Sequence, residues 1–181
     1  VGRIPPDQRP RVFLEQYHDL QTVTADNPDH MLLTTCGGID IFADRPPSPS
    51  LTATISPEAV IERNPQIIIK HIGSSRIINS GYGATNADDL KAVRNRIMNR
   101  PGWKNIVAVK KGRVYVLNNE TKATHPSVYC AYIARWLYPD LFYDLDPVAI
   151  YQQWMETFLE VRYKGVYAYP EKPVEETEYS I

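Results

Sequence analysis

Cysteine is scarce in this chain: 181 residues contain only Cys36 and Cys130. Two are too few for a disulfide framework, and they lack the local spacing of a zinc site. Both fall in helical patterns, where each reads as a buried free thiol acting as a small hydrophobe rather than as half of a bridge. Net charge is scarce as well. Twenty Lys and Arg stand against 21 Asp and Glu, a formal balance of −1 that gives no electrostatic case for nucleic acid or an anionic membrane. No apolar run approaches the roughly 20 residues that span a bilayer, and the opening VGRIPPDQRP lacks the apolar core of a signal peptide.

The common catalytic signatures are missing too. There is no GxxxxGK[ST], GxSxG or HExxH, and Gly81-Tyr82-Gly83 is a lone GxG. The carboxylates show no pairing that sequence alone assigns to acid–base work. A small α/β enzyme therefore stands as the alternative reading, without a nucleophile, a metal set or a cofactor fingerprint.

What the chain has in quantity is punctuation. Fifteen prolines and nine glycines imply alternating short elements rather than a helix bundle. Val12–Glu15, Ile39–Phe42, Gln66–Lys70 and Val114–Leu117 read as strands, the isoleucine run of the third being suited to burial on both faces. Helices are expected from Asp26 or Asn27 with Pro28, from Ser56-Pro57, after Asn86, from Pro126 and from Asp146-Pro147, the last with Val148, Tyr151, Met155 and Phe158 on one face. Tyr17–Thr24, Arg45–Ser50 and Ile72–Thr85 read as loops. The alternation predicts a three-layer α/β/α sandwich around a mostly parallel, Rossmann-like sheet. Residues 1–165 form its body and 166–181 an acidic, proline-containing surface tail, with tyrosines able to pin part of it down. Pro5, Pro6 and Pro10 lead abruptly into a strand, which suggests a longer protein of which this is a part.

In such sheets ligands bind beyond the carboxyl ends of the strands. His18, His71 and His125 each follow an expected strand, which places them with Tyr17, Tyr82, Asn118 and Asn119 at one rim. Imidazole and phenol groups there suit a ferric chelate, a haem or a corrinoid; equally, each single histidine is explained by a solvated loop. ISPEAVIERNPQIIIK, residues 55–70, carries a second pair of readings. Ser56 is a natural N-cap and Pro57 suits the first helical position. Glu58 then contributes about 0.3–1 kcal/mol through the helix dipole, or stands free to pair with an arginine of a partner protein.

Taken in order, RPRVFLEQY, TTCGGIDIFAD, ISPEAVIERNPQIIIK, PGWKNIVAVKKGRVYVLN and YIARWLYPDLF resemble the C-terminal lobe of the periplasmic solute-binding proteins that deliver ferric siderophores, haem or cobalamin to ABC importers. The similarity runs from about Arg9 to about Phe158. It implies an extracytoplasmic, membrane-anchored protein of two lobes joined by a long helix, with the N-terminal lobe upstream of Val1, no catalysis, no cofactor and no resident metal. It also implies that Glu58, at the S-x-E position, docks onto arginines of the importer's membrane permease subunits. Ligand contacts vary within the family, so Tyr17, His18, His71, Tyr82, Asn118 and His125 are expected ligand residues by position alone. Gln66 departs from the family's usual aspartate, at a strand start where no function is expected.

Overall fold

The apolar runs Val12–Leu14, Ile67–Ile69 and Val114–Leu117 lie side by side at the centre of one sheet, buried on both faces. The structure is a computed structural model and describes residues 4–73 and 78–174. In chain order its elements are β1 (Arg11–Glu15), β2 (Gln21–Val23), α1 (Pro28–Thr35), β3 (Ile39–Asp40), β4 (Thr52–Thr54), α2 (Pro57–Arg63), β5 (Ile67–Ile72), α3 (Asp88–Met98), α4 (Val107–Lys110), β6 (Val114–Asn118), α5 (Glu120–Thr124), α6 (Pro126–Leu137), α7 (Pro147–Phe158) and β7 (Ala168–Tyr169).

β1 pairs in parallel with β5 from Val12↔Ile67 to Glu15↔Lys70, and β5 with β6 from Ile68↔Val114 to Ile72↔Asn118. β3 runs parallel to the start of β1. Both margins are antiparallel, β2 on β1, β4 on β2 and β7 on β6, which gives the order β4-β2-β1-β5-β6-β7 with β3 beside β1. The expected α/β sandwich is present with a parallel centre. On one face Val12, Leu14, Ile69 and Leu117 meet Leu33 of α1, Ile133 of α6 and Tyr151 and Met155 of α7. Tyr115 stacks there on Trp136 with ring centroids 4.5 Å apart. On the other face Phe13, Ile68 and Val116 meet Val60 of α2, Leu90, Val93 and Ile97 of α3 and Val109 of α4. Alternate strand residues thus feed opposite layers, as the pleat requires.

Several elements differ from the sequence reading. β2 lies within the expected loop Tyr17–Thr24, and β4 follows the proline-rich loop. At three residues each, neither is long enough to display a period of two, and both are held by ladder bonds to a neighbour. α4 and α5, of four and five residues, escape a 3.6-residue pattern for the same reason. Asn86 does receive the Asp88 N–H at 3.0 Å, but the cap position itself is Ala87. Phe158 ends α7 and is 72% exposed, so it leaves the buried face that Tyr151 and Met155 occupy.

Part of the segment after residue 165 packs onto the sheet. Tyr167 and Ala168 are buried, and β7 pairs through Val116↔Tyr169 and Leu117↔Ala168. This segment covers the open edge of β6, where bare backbone groups need partners. Residues 175–181 of the expected tail, and 74–77 of the expected loop Ile72–Thr85, lie outside the described residues.

Candidate functional site

The carboxyl ends of β1, β5 and β6 open onto one edge of the sheet. Tyr17, two residues beyond β1, lies across all three. Its hydroxyl accepts a hydrogen bond from Asn119 Nδ2 beyond β6, and a Cβ built on Gly73, beyond β5, would sit 3.5 Å from its ring. The ring is nevertheless half exposed, at 49%. His18 beside it is exposed. Tyr82, 38% exposed, is fixed to the same edge by its backbone N–H, which donates to Glu120 Oε2 at 3.2 Å. Lys164 Nζ lies 4.4 Å from the centre of the Tyr82 ring, a cation–π contact. His125 is half-buried at the start of α6, edge-on to Trp154 at 5.0 Å, and its Nδ1 has no hydrogen-bond partner among the described residues.

Two expected rim residues lie beneath the rim. β5 continues two residues beyond the sequence-expected Lys70, so His71 belongs to the strand and alternates onto the face of Ile67 and Ile69. It is fully buried there, with Nδ1 3.3 Å from Asp29 Oδ2 and Nε2 2.8 Å from the Tyr129 hydroxyl. Gln16 Nε2 lies 3.1 Å from the same Nδ1, so both His71 nitrogens have a hydrogen-bonding neighbour. Burial pushes the His71 pKa down and outweighs the pull of Asp29. For Asp29, burial alone would raise the carboxyl, but His71 and Lys122 together hold it well below the usual carboxylate range. Asn118 is likewise buried: its Nδ2 donates to Ser80 Oγ at 2.8 Å and its Oδ1 receives the Glu120 N–H at 2.7 Å. These bonds fold the two rim loops rather than present a group to solvent.

The sequence reading missed the residues that hold the rim. Gln16 Nε2 donates to Asp29 Oδ2 at 3.1 Å, and Lys122 Nζ donates to Asp29 Oδ1. On the other face the fully buried Glu15 receives the Leu20 N–H at 2.6 Å and pairs with Arg100 at 2.8 Å. Lys70 and Arg100 both reach Asp19, at 3.2 and 3.1 Å. Burial would raise the Asp19 carboxyl, but these two cations hold it below its ordinary value. The loop that carries Tyr17 and His18 is thus anchored on both sides of the sheet. The available signal was a charge closing each apolar run, Glu15 after Phe13-Leu14 and Lys70 after the isoleucines, since a charge in a buried strand requires a partner. Among the described residues no group of three or more His, Cys, Asp or Glu could hold a metal ion.

Glu58 stands in the first turn of α2 as expected, with Ser56 Oγ accepting the Ala59 N–H at 3.2 Å. Its carboxylate is exposed and makes no ion pair or hydrogen bond among the described residues. The Ile55 N–H donates to the Leu20 carbonyl at 2.9 Å, so α2 opens beside the loop that follows β1. Glu58 and the Tyr17–His18 rim therefore share one edge of the molecule.

This architecture is an α/β sandwich, a class of fold in which ligands bind at the strand-end edge. The model of the protein family described as periplasmic binding protein matches residues 8–121, and the chain belongs to that family. Among solved structures it is similar to the TroA-like periplasmic binding protein FepB from Veillonella parvula, with 26% identity over 92% of this chain and 49% of that one and a TM-score of 0.76. It is similar in fold to the molybdate periplasmic binding protein MolA from Haemophilus influenzae, solved bound to molybdate, with 23% identity, 91% and 46% of the two chains and a TM-score of 0.69. The same holds for CeuE from Helicobacter pylori, solved with Ni(II) bound, at 17% identity, 86% and 46% coverage and a TM-score of 0.64. The chain spans about half the length of these structures. No curated protein matches it. The family and these neighbours are binding proteins, and no helix among the described residues is long and apolar enough to cross a membrane.

Proposed function

We propose that this chain is the C-terminal lobe of the extracytoplasmic solute-binding component of an ABC importer. In the full-length, membrane-anchored protein it holds a metal chelate of the ferric siderophore, haem or cobalamin kind between its strand-end rim and an N-terminal lobe, and hands it to the permease. Membership of the periplasmic binding protein family supports the transport role, and a match to half of each two-fold longer neighbour supports the single lobe. The rim offers Tyr17, His18 and Tyr82 to a ligand, with His125 half open beside them. His71 and Asn118 serve it from below, through the bonds that position the loops.

The observation that carries the docking role is Glu58. An exposed carboxylate with no partner among the described residues, on the same edge as the ligand rim, is available to a guanidinium on the permease. Changing Glu58 to alanine in the full-length protein tests this: uptake is expected to fall while ligand affinity stays unchanged. Unchanged uptake by a folded variant would remove the docking role. Titrating the full-length protein with a ferric siderophore, haem and cobalamin in turn tests the ligand class, with visible absorbance and tryptophan fluorescence as readouts. Trp103, Trp136 and Trp154 report from this lobe.

A further inference from the structure

The two cysteines, 94 residues apart in the chain, meet in the fold. Cys36 caps the C-terminus of α1, and Cys130 lies in the second turn of α6. The Cys36 thiol donates to the Cys130 carbonyl oxygen at 3.7 Å, which brings the two cysteines side by side. The end of α1 is fastened close by, where the Tyr138 hydroxyl donates to the Gly37 carbonyl at 2.8 Å. Both thiols are free; Cys36 is buried and Cys130 is half-buried, so Cys130 is the sulfur that a reagent reaches first. The neighbouring Cys36 pulls the Cys130 thiol down to about 7, whereas Cys130 and burial push Cys36 up. Thiolate character and access therefore coincide on Cys130.

We propose that Cys36 and Cys130 are a redox pair that closes to an intramolecular disulfide on meeting a disulfide oxidant, whether the active-site disulfide of a thiol oxidoreductase or oxidised glutathione. The Cys130 thiolate attacks one sulfur of the oxidant, forming a mixed disulfide and releasing the other sulfur as a thiolate. Cys36 then gives up its proton, attacks the Cys130 sulfur and expels the second oxidant thiol. Two protein thiols lose two electrons and two protons, and the oxidant's disulfide becomes two thiols. The bond clamps α1 to α6. These helices carry Asp29 and Tyr129, the two partners of His71, so the clamp fixes the layer beneath the rim. An extracytoplasmic location would supply an oxidising environment, and that part alone rests on the proposed function.

The test uses the full-length protein, purified reduced, incubated with oxidised glutathione, alkylated and mapped by peptide mass without reduction. The expected result is the joint loss of both free thiols, a monomeric protein with a Cys36–Cys130 linked peptide, and a Tm several degrees higher that a reductant reverses. Cys130→Ser is expected to show neither the link nor the rise. Both thiols remaining open to alkylation, glutathione on Cys130 with Cys36 still free, or links only between molecules would each overturn the proposal. Mapping is done on the unmutated protein, so a poorly folding variant leaves the test intact. No ligand or transport is read, so this result and the transport reading fail independently.

Discussion

The Tyr17 hydroxyl accepts a hydrogen bond from Asn119, 102 residues further along the chain, and so ties the loop after β1 to the loop after β6 above the end of β5. Burial, and then the charge of Asp29, raise the Tyr17 phenol above its ordinary value, which keeps it protonated at neutral pH. Its hydroxyl is therefore a hydrogen-bonding group of the rim, and its exposed ring is a platform. Tyr17→Phe keeps the platform and removes the tie. A single such bond is worth about 0.5–1.5 kcal/mol, so ligand affinity of the full-length protein should fall by up to about tenfold, measured by fluorescence titration.

Asp29 joins Gln16, His71 and Lys122 in a nearly dry space. Asp29→Ala removes the carboxylate that all three share, one of them a cation. The expected loss is about 3–5 kcal/mol, read as a lower urea midpoint with an unchanged m value.

Acid should destabilise the fold in two stages. His71 has its folded pKa lowered by burial, so below its ordinary value of about 6.5 the unfolded chain binds a proton that the folded chain refuses. The stability it allows is complete above that pH and is lost as pH falls below it. Asp29, held low by His71 and Lys122 against its burial, contributes stability above about pH 4, lost as pH falls further. A Tm series against pH should therefore decline from about pH 6.5 downward. His71→Gln, which cannot titrate, should flatten the upper part of that decline and shrink the lower part without abolishing it, because Lys122 alone then holds Asp29 low.

Gly165 sits at φ +108, where a side chain is strained, and a Cβ there would lie 2.4 Å from the Gly81 carbonyl oxygen. Gly165→Ala should push apart the Gly81–Val166 bridge that seats both β7 and Tyr82. A lower Tm and weaker ligand binding are expected together, checked by thermal melts and titration of the same preparation.

The sequence made the sheet centre legible because β-branched runs such as Ile67–Ile69 have few other places to go. It also revealed α2 through the Ser56-Pro57 start. The margins escaped because β2, β4 and β7 contain only two or three residues each and owe their form to a neighbour's backbone. His71 illustrates the limit at the site. The apolar run ends before the strand does, so a buried strand residue looks like the start of a loop. Its network could not be foreseen from spacing, since Gln16 and His71 are 55 residues apart and Asp29 and Lys122 are 93 apart. Glu58 was legible because its position at a helix start is local, whereas its lack of a partner among the described residues became visible only in the fold.

That exposed carboxylate leads to the most direct test of the transport reading. Ligand uptake should be measured in cells that carry the full-length protein, side by side for the unmutated form, Glu58→Ala and Glu58→Arg, with ligand affinity determined for each purified protein. The account predicts equal affinities, reduced uptake for Glu58→Ala and a further reduction for Glu58→Arg, whose charge repels a guanidinium. Full uptake by a correctly folded Glu58→Arg protein would contradict it.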